Sequence, residues 1–157
     1  MNKKGVFSGR TETPLAPEGI EQVKAAGQKA KNLHIDLIVT SPMERARETA
    51  AIIARTIDYP VKDIQVSDLF MERDFASLEG KAYSPNRDFS SYEDVESDKA
   101  ILERASEGLT YLKSLDHDTI MVVSHGAIGR AIRHLLNPSV HFHETERFEN
   151  GKIVQLL

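Results

Sequence analysis

The stretch from Thr119 to Leu136 constrains this chain most. Ile120 to Val123 is a run of apolar residues rich in β-branched types, which predicts a short strand buried on both faces. Ser124-His125-Gly126 follows, and then a helical pattern with Ile128, Ile132, Leu135 and Leu136 on one face. A buried parallel strand that runs into a helix through a tight turn presents the turn at the carboxyl edge of a sheet, where open α/β sheets bind ligands. The helix start adds unpaired N–H groups and a positive dipole end, which suit an anion. His125 is thereby placed where a phosphate could sit; a turn histidine with no role is the other reading of the same position.

The length of 157 residues fits one domain with a full core. A formal net charge of −4 argues against general nucleic-acid affinity. The chain has no cysteine, which excludes disulfides, thiolate chemistry and Cys-type zinc sites. No apolar run approaches a membrane span, and Met-Asn-Lys-Lys at the start is not followed by a signal-type apolar core. A cytoplasmic protein is expected.

Residues 1–19 hold three glycines and two prolines and read as an ordered loop. Pro17 opens a helix of about four turns carrying Ile20, Val23 and Leu33. Asp36 to Thr40 is a second buried strand. Ser41 can cap the next helix with Pro42 at its first position. Arg45 then lies near the sheet edge and can point at the same cleft as His125, whereas Arg47 faces another side. Ile64 to Ser67 is a weaker strand, and Glu72 and Glu79 follow as candidate acids. Residues 81–91 form a polar surface excursion. Tyr92 to Leu115 is predicted as one long amphipathic helix, with Ile101, Leu102, Ala105, Leu109 and Leu112 inward. His141, Phe142 and His143 are expected in a strand, and Asn150-Gly151 turns into an edge strand over 152–156. Helices alternating with parallel strands predict a three-layer α/β/α sandwich with a mostly parallel sheet.

Several separate stretches together resemble the histidine phosphatase superfamily, also called phosphoglycerate mutase-like. They are Asn2-x-x-Gly5 with Gly9-Arg10 and Thr13-Pro14-Leu15-x-x-x-Gly19; Ser41-Pro42-x-x-Arg45-Ala46-x-x-Thr49-Ala50; Glu72 with Glu79-Gly80; Glu96-Ser97 with Arg104; and Val123-Ser124-His125-Gly126. They follow the family's order and span nearly the whole chain. The resemblance implies a phosphomonoesterase acting through a phosphohistidine: one histidine attacks phosphorus, a carboxylic acid protonates the leaving oxygen, and cations hold the phosphoryl oxygens. Little covalent help is needed at phosphorus, so positioning and positive charge dominate, and arginine's planar fork suits phosphate oxygens. Carried over residue by residue, His125 and Arg45 bind the phosphoryl group and Glu72 is the acid/base. Asn2, Ser8, Gly9 and Arg10 lie on the loop that lines the pocket in relatives. Glu79 closes a structural turn. No cofactor is implied.

One departure matters. The family's first strand ends in Arg-His-Gly, whose histidine is the nucleophile, a few residues before the position of Asn2. That strand is absent here, so the chain as given is expected to be inactive. The resemblance implies that the missing strand lies in the middle of the sheet, between 36–40 and 119–124. Deleting it there leaves a gap of about 9.6 Å that no hydrogen bond crosses and a row of unpaired buried backbone groups. Either the sequence begins at an internal methionine of a longer protein, with the nucleophile upstream of Met1, or the sheet is rearranged. None of His34, His117, His134, His141 and His143 follows a strand with that pattern. The alternatives are a phosphate-binding pseudoenzyme without turnover and a mutase-type phosphotransferase, the latter disfavoured because residues 81–91 are too few for a substantial lid. His141 and His143 share a face beside Glu144, but a third metal ligand has no evident source, so no metal is expected. The expected partner is a small phosphorylated substrate or a phosphoprotein, with no nucleic acid and no membrane.

Overall fold

The computed structural model describes residues 5–82, 84, 88–146 and 148–157. Seven elements position the site: α1 (Pro17–Ala30), β1 (Leu37–Thr40), α2 (Glu44–Thr56), β2 (Gln65–Val66), α3 (Asp98–Ser114), β3 (Ile120–Val123) and α4 (Gly126–Leu136). The three strands form a parallel sheet in the order β2-β1-β3. Side chains alternate across it as period two requires. Leu37, Val39, Ile120 and Val122 face a core built with Ile101, Ala105, Ile128 and Ile132 of α3 and α4. Ile38, Val123 and Met121 face the other way, against Ala46, Ala50 and Ala54 of α2. This is the expected three-layer α/β/α arrangement. Among the described residues, no helix is long and apolar enough to cross a membrane.

The expected gap in the middle of the sheet is not there. β1 pairs directly with β3 in the register Leu37↔Ile120 through Thr40↔Val123. The two most apolar strands satisfy each other's ladder, which removes the cost of unpaired buried backbone between them. The unpaired side falls elsewhere: β3 is an edge strand, and among the described residues no strand meets its outer edge. All four residues of β1 are buried, whereas Ile120, Met121 and Val122 of β3 are only half-buried.

Four further expectations are corrected. α2 begins at Glu44 rather than Pro42, because Ser41 is buried at the sheet edge and the Glu44 N–H is taken instead by Glu12 Oε2 at 2.9 Å. α3 begins at Asp98, six residues after Tyr92; Ser97 caps it by accepting the Ala100 N–H at 3.1 Å. The preceding acids are used in tertiary bonds, Asp94 on Ser77 and Glu96 on Arg104. His141 to His143 is not a strand: Phe142–Glu144 is a turn of 3₁₀ helix that buries Phe142 in the α3/α4 core. The Asn150-Gly151 turn is present, with Gly151 at φ +67, but the segment after it joins no ladder among the described residues. Ile153 packs instead against the cluster of Val23, Ala30 and Ile53. Neither C-terminal segment pairs with the sheet, and β-propensity alone does not make a strand.

Candidate functional site

The turns that follow β1 and β3 lie side by side, because Thr40 and Val123 are register partners and the Ser41 N–H donates to Val123 O at 3.0 Å. Ser41 and His125 therefore meet at one point on the carboxyl edge, with Ser41 Oγ 2.9 Å from His125 Nε2. His125 is the extended residue before α4, at φ −131 and ψ 173. Burial pushes its imidazole from 6.5 down to about 3, and the charges of Arg45 and Arg104 push the same way. The ring is neutral at pH 7, with one N–H to give and one lone pair to accept.

Arg45 is the second residue of α2. Its Nη1 donates to Thr11 O at 3.1 Å and its Nη2 to Gly9 O at 2.8 Å. Burial lowers its proton affinity, and the carboxylates of Glu72, Glu12 and Glu79 oppose that. The loop carrying those carbonyls is held by Glu79, whose carboxylate accepts the N–H groups of Arg10 at 2.6 Å and Thr11 at 2.9 Å, as well as the Thr11 hydroxyl. Gly9 makes this closure fit. Its φ is +48, and a Cβ there would stand 2.0 Å from Glu79 Oε1.

Glu72 completes the crevice. Its Oε1 accepts the N–H of Arg73 at 2.9 Å and of Ala127 at 3.0 Å. The start of α4, which the sequence reading offered to an external anion, is thus held by a carboxylate of the chain itself. Burial pushes the Glu72 carboxyl up, against the N–H groups of Arg73, Ala127 and Ile128 and the charge of Arg45, which all favour its ionised form.

The structure therefore brings His125, Arg45 and Glu72 together. Gly9 contributes a carbonyl to Arg45. Ser8 Oγ is buried and has no hydrogen-bond partner among the described residues. Arg10 is committed elsewhere: its Nε donates to Glu72 O at 3.2 Å, and its other nitrogens lie 3.3 Å from Asp74 and 3.8 Å from Glu96. Asn2 lies outside the described residues. Arg47 is exposed on α2.

Two contributors were not assigned their parts from the sequence. Ser41, read as a helix cap, accepts the Met43 N–H at 3.3 Å just before α2 and is also the partner of His125. Arg104 pairs with Glu96 through two bonds of 2.9 and 2.8 Å. It also donates to the carbonyls of Leu69 and Met71 at 3.0 and 2.8 Å, which fixes the strandless segment that delivers Glu72. The pairing of Glu96 with Arg104 in the motif set was the available signal; its action on the Glu72 segment is non-local. Among the described residues, no group of three or more His, Asp and Glu side chains is arranged to hold a metal ion.

The chain is similar to the uncharacterized phosphatase PhoE of Bacillus subtilis (strain 168), at 31% identity over 132 residues, covering 79% of this chain and 65% of that protein. It is similar to the 2,3-bisphosphoglycerate-dependent phosphoglycerate mutase of Parvibaculum lavamentivorans at 36% identity over 81 residues, covering 50% of this chain and 39% of the mutase. The chain thus spans less than two thirds of the length of either relative. The solved α-ribazole phosphatase of Shigella flexneri superposes with a TM-score of 0.78 at 21% identity, covering 96% of this chain and 81% of that one, a likeness of fold. The family profile described as the histidine phosphatase superfamily (branch 1) matches residues 1–157, and with the α/β/α sheet and its two adjoining turns this establishes that the chain belongs to that superfamily.

Proposed function

We propose that the chain is the greater part of a single-domain phosphomonoesterase that works through a phosphohistidine. The observation that supports this reading is that the Arg45 charge acts on both His125 and Glu72, which puts a guanidinium, a neutral imidazole and an uplifted carboxyl around one crevice. Arg45 uses two of its five N–H donors on loop carbonyls and has others for phosphoryl oxygens. A phosphate dianion raises the proton affinity of adjacent groups. On binding, His125 can take a proton and become a second cationic donor, and Glu72 can hold the proton that the leaving oxygen needs. Once that proton is given up, the Glu72 carboxylate is the base for the water that hydrolyses the phosphohistidine. Ser41 fixes the ring of His125. Proton transfer thereby alternates on one carboxyl while the two nitrogen groups hold charge in place.

The attacking histidine is assigned to a segment upstream of Met1. His34, His117, His141 and His143 are exposed, and His134 is bonded to Val140 O. That His125 is the one histidine in the crevice among the described residues favours a second reading, a phosphate-binding protein without turnover. The test measures phosphate and vanadate binding by calorimetry, and nitrophenyl phosphate turnover, on the 157-residue chain and on a version extended upstream through an Arg-His-Gly strand. Binding by both with turnover only by the extended form is expected. Robust turnover by the shorter chain would sink the placement of the nucleophile. Binding by both without turnover would leave the second reading. The substrate is a small phosphorylated molecule or a phosphoprotein.

A further inference from the structure

Arg73 is a buried cation that the proposed chemistry does not use. It is 1% exposed. Consecutive residues of an extended segment point to opposite sides. Glu72 faces the crevice, and the Arg73 side chain runs behind it toward the start of α3. There its Nε donates to Glu96 O at 2.7 Å, and its Nη1 lies 2.8 Å from Asp98 Oδ1. Its guanidinium stands 4.3 Å from the centroid of the Phe89 ring, a cation–π contact.

The link from this cluster to the crevice is mechanical. The cation whose charge acts on Glu72 is Arg45; from Arg73 the carboxylate receives the backbone N–H, at 2.9 Å. Arg104 holds the carbonyls of Leu69 and Met71 on one side of Glu72. On the other side, Glu96 accepts from the Arg73 side chain with its carbonyl and from the Asp74 N–H with its carboxylate, at 3.1 Å. Glu72 is therefore bracketed by two anchored guanidinium groups. A buried ion pair adds little net stability, because desolvation of both ions offsets their attraction, and an apolar residue of similar volume packs as well. Arg73 Nη2 has no hydrogen-bond partner among the described residues, which adds to the cost of burial. What an apolar side chain lacks is direction. Two polar anchors fix the rotation of the backbone at residue 73, and with it the side to which Glu72 points.

We propose that Arg73 is a positioning residue: its guanidinium, anchored to Glu96 and Asp98, keeps the Glu72 carboxyl on the start of α4 and facing the crevice. The acid/base part of Glu72 rests on the phosphomonoesterase reading; its placement by Arg73 does not. Hydrogen exchange on the 157-residue chain tests the placement. Ala127 is the second residue of α4, so its N–H has no partner within the helix and is covered by Glu72. Gly129 donates to His125 O and is the control. Arg73→Met, which keeps the bulk, should speed exchange at Ala127 roughly tenfold and leave Gly129 unchanged. Arg73→Lys should keep part of the protection. Asp98→Ala, at a half-exposed position, should give a weaker form of the same pattern, and it carries the comparison if Arg73→Met does not fold. In the form extended upstream, Arg73→Met should lower kcat for an alkyl phosphate by about 10²-fold, with less loss for nitrophenyl phosphate and little change in KM. Equal acceleration at Ala127 and Gly129 would make Arg73 a structural residue only, and no acceleration at Ala127 would leave Glu72 placed without it; either result overturns the inference, as would equal losses of kcat for the two substrates. If the extended wild type does not turn over, the phosphomonoesterase reading falls, and the exchange rates still decide whether Arg73 places Glu72.

Discussion

The turns after β1 and β3 are built alike and differ in one respect. Each leads a buried parallel strand into a helix, and each helix start is capped by a carboxylate from a distant part of the chain. Glu12 accepts the Glu44 N–H of α2 at 2.9 Å, and Glu72 accepts the Ala127 N–H of α4 at 3.0 Å. The first bond lies at the exposed surface and the second in the crevice. The first bond is an exposed helix cap, worth about 1 kcal/mol. Burial disfavours the charged form of Glu72 and pushes its carboxyl up. One interaction type therefore yields a structural cap in one place and, in the proposed mechanism, a proton carrier in the other, and solvent access makes the difference.

The largest effect should come at Glu72, the proposed proton carrier. In the form extended upstream, Glu72→Gln should lower kcat/KM for an alkyl phosphate by about 10²–10⁴-fold, as expected for loss of general acid catalysis. It should cost far less with nitrophenyl phosphate, whose leaving oxygen departs as an anion. Glu12→Gln, the matched control, should change neither rate appreciably. Equal losses for the two substrates in Glu72→Gln would mean that Glu72 positions rather than donates, and the contrast between the two caps would collapse.

Next come the groups that hold charge. Arg45→Ala or His125→Ala should lower kcat/KM by about 10²–10³-fold, with little dependence on the leaving group, since in the proposed mechanism they act on the phosphoryl oxygens. A steady-state comparison over the same two substrates separates them from Glu72.

A smaller effect concerns the loop that ties Arg45 to Glu79. Gly9→Ala should lower stability by about 1–3 kcal/mol through backbone strain at φ +48 and the clash with Glu79. Thermal melts of Gly9→Ala, alone and with Glu79→Ala, read the clash directly: if the second change restores nothing, the strain lies in the backbone alone.

A further signal lies in the pH dependence of stability, where His125 and Glu72 oppose each other. His125 falls from 6.5 to about 3 on folding, so between those values the unfolded chain binds the extra proton and stability drops as pH falls. Glu72 rises above 4.5 on folding, so from its raised value down to 4.5 the folded chain binds the extra proton and stability grows as pH falls. Urea unfolding from pH 7 to 4 should show a shallower decline for His125→Gln and a steeper one for Glu72→Gln. Identical profiles would show that neither side chain is desolvated on folding.

What was legible without coordinates was local. The apolar tetrads 37–40 and 120–123, the Pro17 start of α1 and the helical face of Ile128 and Ile132 each state their conformation within a few residues. The placing of His125 and Arg45 near one sheet edge followed from two strand-to-helix turns in the same sense. The part Ser41 takes was not legible, because its cap position and its bond to His125 are equally good uses of one hydroxyl.

The sequence by itself determined the alternation of strands and helices, the parallel sheet and the family, because periodicity, end signals and motif order are all carried by neighbouring residues. Only the tertiary structure decided which strands pair, that β3 rather than a central gap bears the unpaired edge, and that 141–144 and 152–156 are not strands. It also decided that Glu72 occupies the start of α4. Each of these depends on groups far apart in the chain, such as the 55 residues between Glu72 and Ala127, and on how much water the fold excludes around them.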